Sequence, residues 1–123
     1  MTNVTIIGVD RENIVVSRSI DFALDIIAFC EVLESQRKFV IANQLLKSGT
    51  SIGANIHEAQ NAESRADFIH KIKIAAKELE ETKYWLLLCE KATSYPFDEK
   101  LKFKVNELGL IVFKILSTSK ANR

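Results

Sequence analysis

The chain has little of what β-structure and secreted scaffolds need. Its 123 residues include one proline and four glycines, too few for the many tight turns of an all-β protein. Two isolated cysteines, Cys30 and Cys89, lie among apolar residues. They do not form a disulfide framework, and they are predicted to be buried free thiols because unpaired cysteine is usually buried.

Long apolar runs and an excess of one charge are missing as well. No apolar run approaches the roughly 18 residues of a membrane-spanning helix, and the N-terminus lacks the basic start of a signal peptide. These absences predict a cytoplasmic protein without a membrane partner. The net charge is +1, from 17 basic and 16 acidic residues, which is not the strongly basic composition of a dedicated nucleic-acid binder.

The apolar pattern predicts one all-α domain over residues 14–120, preceded by an N-terminal arm over residues 1–13. The arm contains a short extended run, Val4–Val9, and no second strand run follows it in the chain. We expect a loose arm, since termini fray unless they are held. The alternative is a strand that pairs with something outside its own subunit.

Apolar residues recur at helical spacing in four segments. The first helix is predicted from Ile14 or Ser17 to Ser35 and carries two apolar stripes about 110° apart. One stripe consists of Val16, Ile20, Ala23, Ile27 and Cys30. The second, interpreted as an additional face, consists of Val15, Phe22, Ile26, Phe29 and Leu33.

Each of the other three helices has one clear apolar seam. The second helix is predicted from Lys38 to Ala62, the third from a capping box at Ser64 to Ala92, and the fourth with Pro96 in its first turn. Short loops between long helices predict an antiparallel up-down-up-down four-helix bundle. The seams are Ala42, Leu45, Gly49, Ile52, Ile56 and Ala59; Phe68, Ile72, Ala75, Leu79, Thr82, Leu86 and Cys89; and Leu101, Val105, Leu108, Val112 and Ile115.

The segment from Gln44 to Ala59 is helical in pattern but rich in small residues. Glycine costs about 1 kcal/mol relative to alanine inside a helix, so its glycines indicate close approach of a neighbouring backbone. We interpret Gly49, Gly53 and Ala54 as close-packing positions. Ser48, Ser51 and Asn55 are interpreted as partners for polar groups there.

Three helices carry more apolar surface than an isolated bundle needs. Helix 1 has its second stripe, and the additional residues on helices 3 and 4 are Ile74, Trp85, Leu88, Phe103 and Leu110. Exposed apolar patches of this size usually mark an interface. They predict self-association, because most soluble oligomers are closed homo-oligomers.

Several motifs resemble the four-helix-bundle family of 23S ribosomal RNA intervening-sequence proteins, from about Ile14 to Lys120. The motifs are Ser19–Ala23, Gln44–Asn55 with Glu58-Ala59, Asp67–Lys71, Ile74–Glu78 and Glu81–Leu86. The family's usual arginine after the paired leucines is Lys47 here, which weakens bidentate phosphate recognition.

The resemblance implies a compact antiparallel bundle that assembles into a homopentameric ring. It also implies a mostly unassigned molecular role. A related branch comprises the accessory variability proteins of diversity-generating retroelements, which are basic and work with a reverse transcriptase and nucleic acid. The near-neutral charge of this chain departs from that branch.

Basic residues concentrate in helices 2 and 3. The candidate nucleic-acid contacts are Lys47, Arg65, His70, Lys73 and Lys77. In a ring, repeated copies would multiply a modest patch, and phosphate binding gains from each neutralised contact. The alternative is a solvated face balanced by neighbouring glutamates, since no aromatic residues interleave the lysines as a stacking platform requires.

Polar residues near the seams are the candidates for helix packing and assembly, together with the small residues and Trp85. The full set is Gly49, Ser51, Gly53, Asn55, Glu58, Glu81, Thr82 and Trp85. We expect the polar members to form a hydrogen-bond network that fixes helix register. The alternative is a carboxylate pair, Glu58 and Glu81, with an acid–base role.

No other feature of the sequence indicates an enzyme, a metal or a cofactor. His57-Glu58 lacks the second histidine of the zinc-protease helix, and the Glu-x-x-His pairs of di-iron bundles do not occur. Together with the pentamer that the resemblance implies, these absences lead us to expect a non-enzymatic pentameric scaffold or adaptor. Its candidate partners are itself and RNA, DNA or a nucleic-acid-processing enzyme such as a reverse transcriptase. The alternative is a protein-binding module without nucleic-acid contact.

Overall fold

The computed structural model describes the backbone of residues 10–121 and the side chains of residues 14–119. This part of the chain consists of four helices and contains no strand: α1 (Asp10–Ser35), α2 (Phe39–Ala59), α3 (Arg65–Lys91) and α4 (Glu99–Ala121). α1 begins at Asp10, earlier than the predicted Ile14 or Ser17. The rest of the predicted N-terminal arm lies outside the described residues.

The start of α3 follows its sequence signal. Ser64 is the N-cap, and its hydroxyl accepts a hydrogen bond of 3.0 Å from the backbone N–H of Asp67. The Asp67 carboxylate in turn accepts a 3.2 Å bond from the backbone N–H of Glu63. The first bond satisfies the N–H of Asp67, which has no partner within the helix, and it confirms Ser64 as the N-cap. The return bond differs from that of a capping box, in which the Asp67 carboxylate would accept from the N–H of Ser64 and not from that of Glu63.

The start of α4 differs from the prediction. Pro96 precedes the helix instead of lying in its first turn, and the helix begins at Glu99. The carboxylate of Asp98 accepts a 3.0 Å bond from the backbone N–H of Lys100. An aspartate that accepts from a first-turn N–H is a strong helix start, so this residue, and not the proline, determines where α4 begins.

The four helices form an antiparallel bundle in which each helix packs against two others. The contacting pairs within the described residues are α1–α2, α2–α3, α3–α4 and α4–α1. Contacts run in opposite chain directions across neighbours. Ser19 lies beside Gly53 and Ile26 beside Gly49, while Ser48 lies beside Thr82 and Glu58 beside Lys71. The predicted up-down-up-down four-helix bundle is confirmed.

The core seams of α2 and α4 are buried as predicted. On α3 the seam is also buried, except that Ile69 enters the core and Phe68 is only half-buried. On α1 the two stripes exchange roles. The stripe interpreted as an additional face is the core stripe, whereas most of the other is partly or largely exposed, with Ile20 44% and Ile27 40% exposed.

Candidate interaction surfaces

The two glycines of α2 lie where α1 approaches most closely. A Cβ atom on Gly49 would lie 3.0 Å from Cγ1 and Cγ2 of Ile26, and one on Gly53 would lie 3.3 Å from the Ser19 hydroxyl and 3.5 Å from its carbonyl oxygen. The close neighbour is a side chain at Gly49 and both side chain and backbone at Gly53. Ala54, by contrast, is exposed.

One buried polar contact joins α2 to α3. The hydroxyls of Ser48 and Thr82 are 2.9 Å apart, and the Thr82 hydroxyl is also 2.8 Å from the carbonyl oxygen of Glu78. Because a carbonyl oxygen can only accept, the Thr82 hydroxyl donates its proton to the Glu78 carbonyl. The Ser48 hydroxyl then donates to the Thr82 oxygen. Both residues are essentially inaccessible, and each has a partner, as buried polar groups require.

The other polar residues of the α2 segment bond to their own helix. The Ser51 hydroxyl donates to the carbonyl of Lys47 over 2.7 Å, and the Asn55 amide donates to the carbonyl of Ser51 over 2.9 Å. A side chain that donates to the carbonyl four residues earlier in its own helix has its hydrogen-bonding capacity used within that helix. In this structure they therefore do not extend the Ser48–Thr82 contact into a network.

Glu58 and Glu81 have separate partners and do not form a pair. Lys71 donates a 2.8 Å bond to Glu58, and this bond and the carboxylate charge raise the pKa of Lys71. Glu81 accepts a 3.2 Å bond from the Trp85 indole on its own helix. Glu81 is ten residues beyond Lys71 along α3, or about 15 Å at 1.5 Å per residue, so the two carboxylates cannot share a substrate atom.

Four of the five candidate nucleic-acid contacts share α3. Arg65, His70, Lys73 and Lys77 are all exposed, and none forms an ion pair with another described side chain. Their spacing of three to five residues places them along the first half of the helix, with His70, Lys73 and Lys77 on its outward side. Lys47 is also exposed, but it lies on α2 and faces away from both neighbouring helices.

An exposed apolar ridge runs along the outside of α1. We define the α1 ridge as Ile20, Leu24 and Ile27, of which Leu24 is 60% exposed. It faces away from the flank of α1 that meets α4, where Lys104 bonds to Asp21 and Asp25 over 2.8 and 2.6 Å. It also faces away from the flank that meets α2, where Ser19 and Ile26 pack against Gly53 and Gly49, so the ridge lies on the solvent side of α1, opposite its buried stripe.

A groove with an apolar floor lies between α3 and α4. Two cavities of about 280 Å³ each adjoin within it, because Lys83 and Asn106 line both. Leu110 and Phe113 line one cavity and are 73% and 69% exposed. We call this region the α3/α4 groove. Its further lining residues are Ala76, Leu79, Glu80, Leu86, Leu87, Glu90, Phe97, Lys102, Val105, Gly109, Val112 and Leu116.

Trp85 lies at the edge of the core on the outside of α3. It is half-buried against the core cluster, and its ring meets that of Tyr84 edge-on at 5.2 Å. Phe103, the other aromatic residue predicted on a second face, is 67% exposed on α4. Sequence reasoning missed Leu24 and Phe113, although both are helical neighbours of residues that it singled out.

Within residues 10–121, no cluster of three or more histidine, cysteine or acidic side chains could hold a metal ion. In the same range, no helix has the length and apolarity to cross a membrane.

The antiparallel packing and the single central core define the chain as a four-helix-bundle protein. Residues 11–113 match the family model of the 23S rRNA-intervening sequence protein, and the chain belongs to this family. It is also similar to a protein of unknown function from the S23 ribosomal protein family of Bacteroides thetaiotaomicron. That crystal structure has 40% sequence identity and a TM-score of 0.82, and the match covers 87% of this chain and 98% of that one. Among curated proteins, none matches the sequence.

Proposed function

We propose that the protein is a non-enzymatic scaffold that assembles into a homopentameric ring and presents a basic surface to nucleic acid or to a nucleic-acid-processing enzyme. The observation that carries the proposal is the exposed apolar surface on two sides of the bundle. The α1 ridge and the α3/α4 groove leave large side chains such as Leu24 and Leu110 in water. Surfaces of this kind mark interaction sites in soluble proteins.

The ring follows from the family resemblance and agrees with this surface distribution. In a closed ring the same contact is repeated between all neighbours, so each subunit has both of its contact surfaces covered. Light scattering coupled to size-exclusion chromatography tests this part. The expected mass is about 70 kDa, five times the 13.9 kDa of the chain. A monomer at micromolar concentration would overturn it.

The basic side chains on α3 support the nucleic-acid part. His70, Lys73 and Lys77 point outward without a described ion-pair partner, and a ring would display five such stripes. Phosphate contacts by lysine release counterions, so binding should fall steeply with salt. Contacts to phosphate carry no sequence information, which predicts weak sequence preference.

Filter binding to a mixed-sequence RNA and DNA tests this part at several salt concentrations. The double variant Lys73→Gln/Lys77→Gln should lower the affinity and flatten its salt dependence. Lys91→Gln/Lys114→Gln, which removes the same charge from exposed positions elsewhere, is the matched control and should bind like the natural protein. Equal affinities for all three proteins, or no change from about 50 to 200 mM salt, would contradict the mechanism.

The second candidate is a protein-binding module without nucleic-acid contact. Acidic residues beside the basic stripe favour this candidate. Glu80 and Glu81 follow Lys77 on the exposed side of α3, and the net charge of the chain is only +1. A pentamer that binds neither nucleic acid at low salt would support this candidate over the first.

A further inference from the structure

The two apolar surfaces lie on different sides of the bundle. Contacts between helices run around the bundle in the order α1, α2, α3, α4 and back to α1. The α1 ridge lies on the outer side of α1, and the α3/α4 groove is lined by no residue of α1. A symmetric dimer through either surface would leave the other one exposed to water.

The shapes of the two surfaces are complementary. Ile20, Leu24 and Ile27 follow one another at helical spacing of four and three residues, which aligns them as a row of projecting side chains. The groove offers two adjoining cavities of about 280 Å³ each. A helix that lays a row of apolar side chains into a hydrophobic groove is a recurring mode of recognition between proteins.

The charges beside the two surfaces are also complementary. Glu31 and Glu34 continue the outer side of α1 beyond Ile27, both exposed and without an ion pair among the described side chains. Lys83 and Lys102 line the groove. Lys83 is held only by a long 3.5 Å contact to Glu80 on its own helix, and Lys102 is still 45% exposed beside Glu90. Both ammonium groups therefore remain accessible to further carboxylates.

We propose that the α1 ridge of one copy of this chain docks into the α3/α4 groove of the next, head to tail, with Glu31 and Glu34 near Lys83 and Lys102. This inference rests on the proposed self-association and names its two surfaces. A contact between two different surfaces continues from copy to copy until it closes as a ring or extends as a filament. The basic stripe of α3 lies outside the contact and stays open to solvent.

The test uses one substitution on each surface. Leu24→Glu places a charge on the ridge and Leu110→Glu places one in the groove. Val40→Glu is the matched control, because Val40 is 75% exposed and lies outside both surfaces. All three residues are exposed enough for folding to continue, which circular dichroism checks. The ridge and groove variants should each be monomeric by light scattering, while the control keeps the natural mass.

Mixing the two variants gives the decisive result. The Leu24→Glu chain retains an intact groove and the Leu110→Glu chain an intact ridge, so an equimolar mixture should form a heterodimer of about 28 kDa, twice 13.9 kDa. A mixture that stays monomeric up to the concentration at which the natural protein assembles would overturn the head-to-tail contact. Variants that assemble like the natural protein would overturn the choice of surfaces and leave the scaffold proposal standing. A natural protein that is itself monomeric would overturn both.

Discussion

The hydroxyl groups of Ser48 and Thr82 lie 2.9 Å apart across the α2–α3 interface. Both side chains are buried among apolar residues, 1% and 0% exposed. A hydrogen-bonded polar pair of this kind contributes little to net stability, but a buried hydroxyl left without its partner is destabilising. It therefore favours the one register of α2 against α3 in which both hydroxyls are satisfied.

Replacing the two hydroxyls separately and together should give non-additive effects. Thr82→Val keeps the volume but deprives Ser48 of its acceptor, and should lower the free energy of unfolding by about 1–2 kcal/mol. Ser48→Ala should cost less, because Thr82 retains its bond to the Glu78 carbonyl. The double variant should be more stable than Thr82→Val alone, since no buried hydroxyl is left without a partner. Urea unfolding measures all four proteins, and additive losses would contradict the pairing.

The helices and most of the core were predictable, because their apolar period is unambiguous. Helix α1 was the exception. Its two stripes are about equally apolar, and its true core stripe contains the polar Ser19 between Val15 and Phe22. Ser19 is buried because it packs against Gly53 and donates to the carbonyl of Val16 over 2.8 Å. Only the position of α2 decides between the stripes, and sequence periodicity does not contain that information.

The candidate surfaces were predictable only in part. The sequence indicated excess apolar residues on α1 and α4, but the α3/α4 groove depends on how far apart two helices lie. It also suggested that several polar residues form one network. Ser51 and Asn55 instead bond within α2, an option open to any serine or asparagine in a helix, and the sequence gives no sign of which option is taken.

Alanine at each of three helical glycines should separate helix propensity from packing. The higher helix propensity of alanine should raise the free energy of unfolding by about 1 kcal/mol at every site. Gly49→Ala should still be destabilised by about 1 kcal/mol, because its Cβ would lie 3.0 Å from Ile26, a stiff β-branched side chain in the core. Gly109→Ala should be stabilised, since its nearest contact, at 3.2 Å, is the movable end of Leu79. Gly53→Ala should fall between them.

Urea midpoints of the three alanine variants check this order. Gly53→Leu extends the series, because a larger side chain would be driven against Ser19 and should destabilise the bundle markedly. If Gly49→Ala were the most stable of the alanine variants, the close approach of α1 at that position would be disproved.

The cluster of Lys104 with Asp21 and Asp25 should make stability depend on pH at both extremes. The hydrogen bond and charge of Lys104 lower the pKa of Asp21, and its two carboxylate bonds raise the pKa of Lys104. The aspartate contribution is present above the ordinary carboxyl pKa of about 4 and is lost as the pH falls through the lowered value. The lysine contribution is present below about 10.4 and is lost as the pH rises through the raised value.

Lys104→Met tests this cluster directly. At neutral pH the variant should have a lower urea midpoint than the natural protein, and the difference should shrink at acidic pH, where the Asp21 carboxylate is protonated and no longer attracts Lys104. Lys114→Met, which removes an exposed lysine from the same helix, is the control and should show a small difference at both pH values. A Lys104→Met difference that stays the same on acidification would show that lost packing, and not lost charge, causes the effect.

The two cysteines should be protected from thiol reagents in the native state. Cys30 and Cys89 are buried free thiols, as their apolar surroundings predict, and burial raises the pKa of Cys30 to about 12 and that of Cys89 to about 11. Only the thiolate reacts, so at mildly alkaline pH the native protein should react with a disulfide reagent roughly a hundredfold or more slowly than an ordinary thiol. In concentrated guanidinium chloride both thiols should react at once. The variants Cys30→Ala and Cys89→Ala, which each retain one thiol, assign the rates. Fast reaction of either thiol in native conditions would show that the core opens locally at that position.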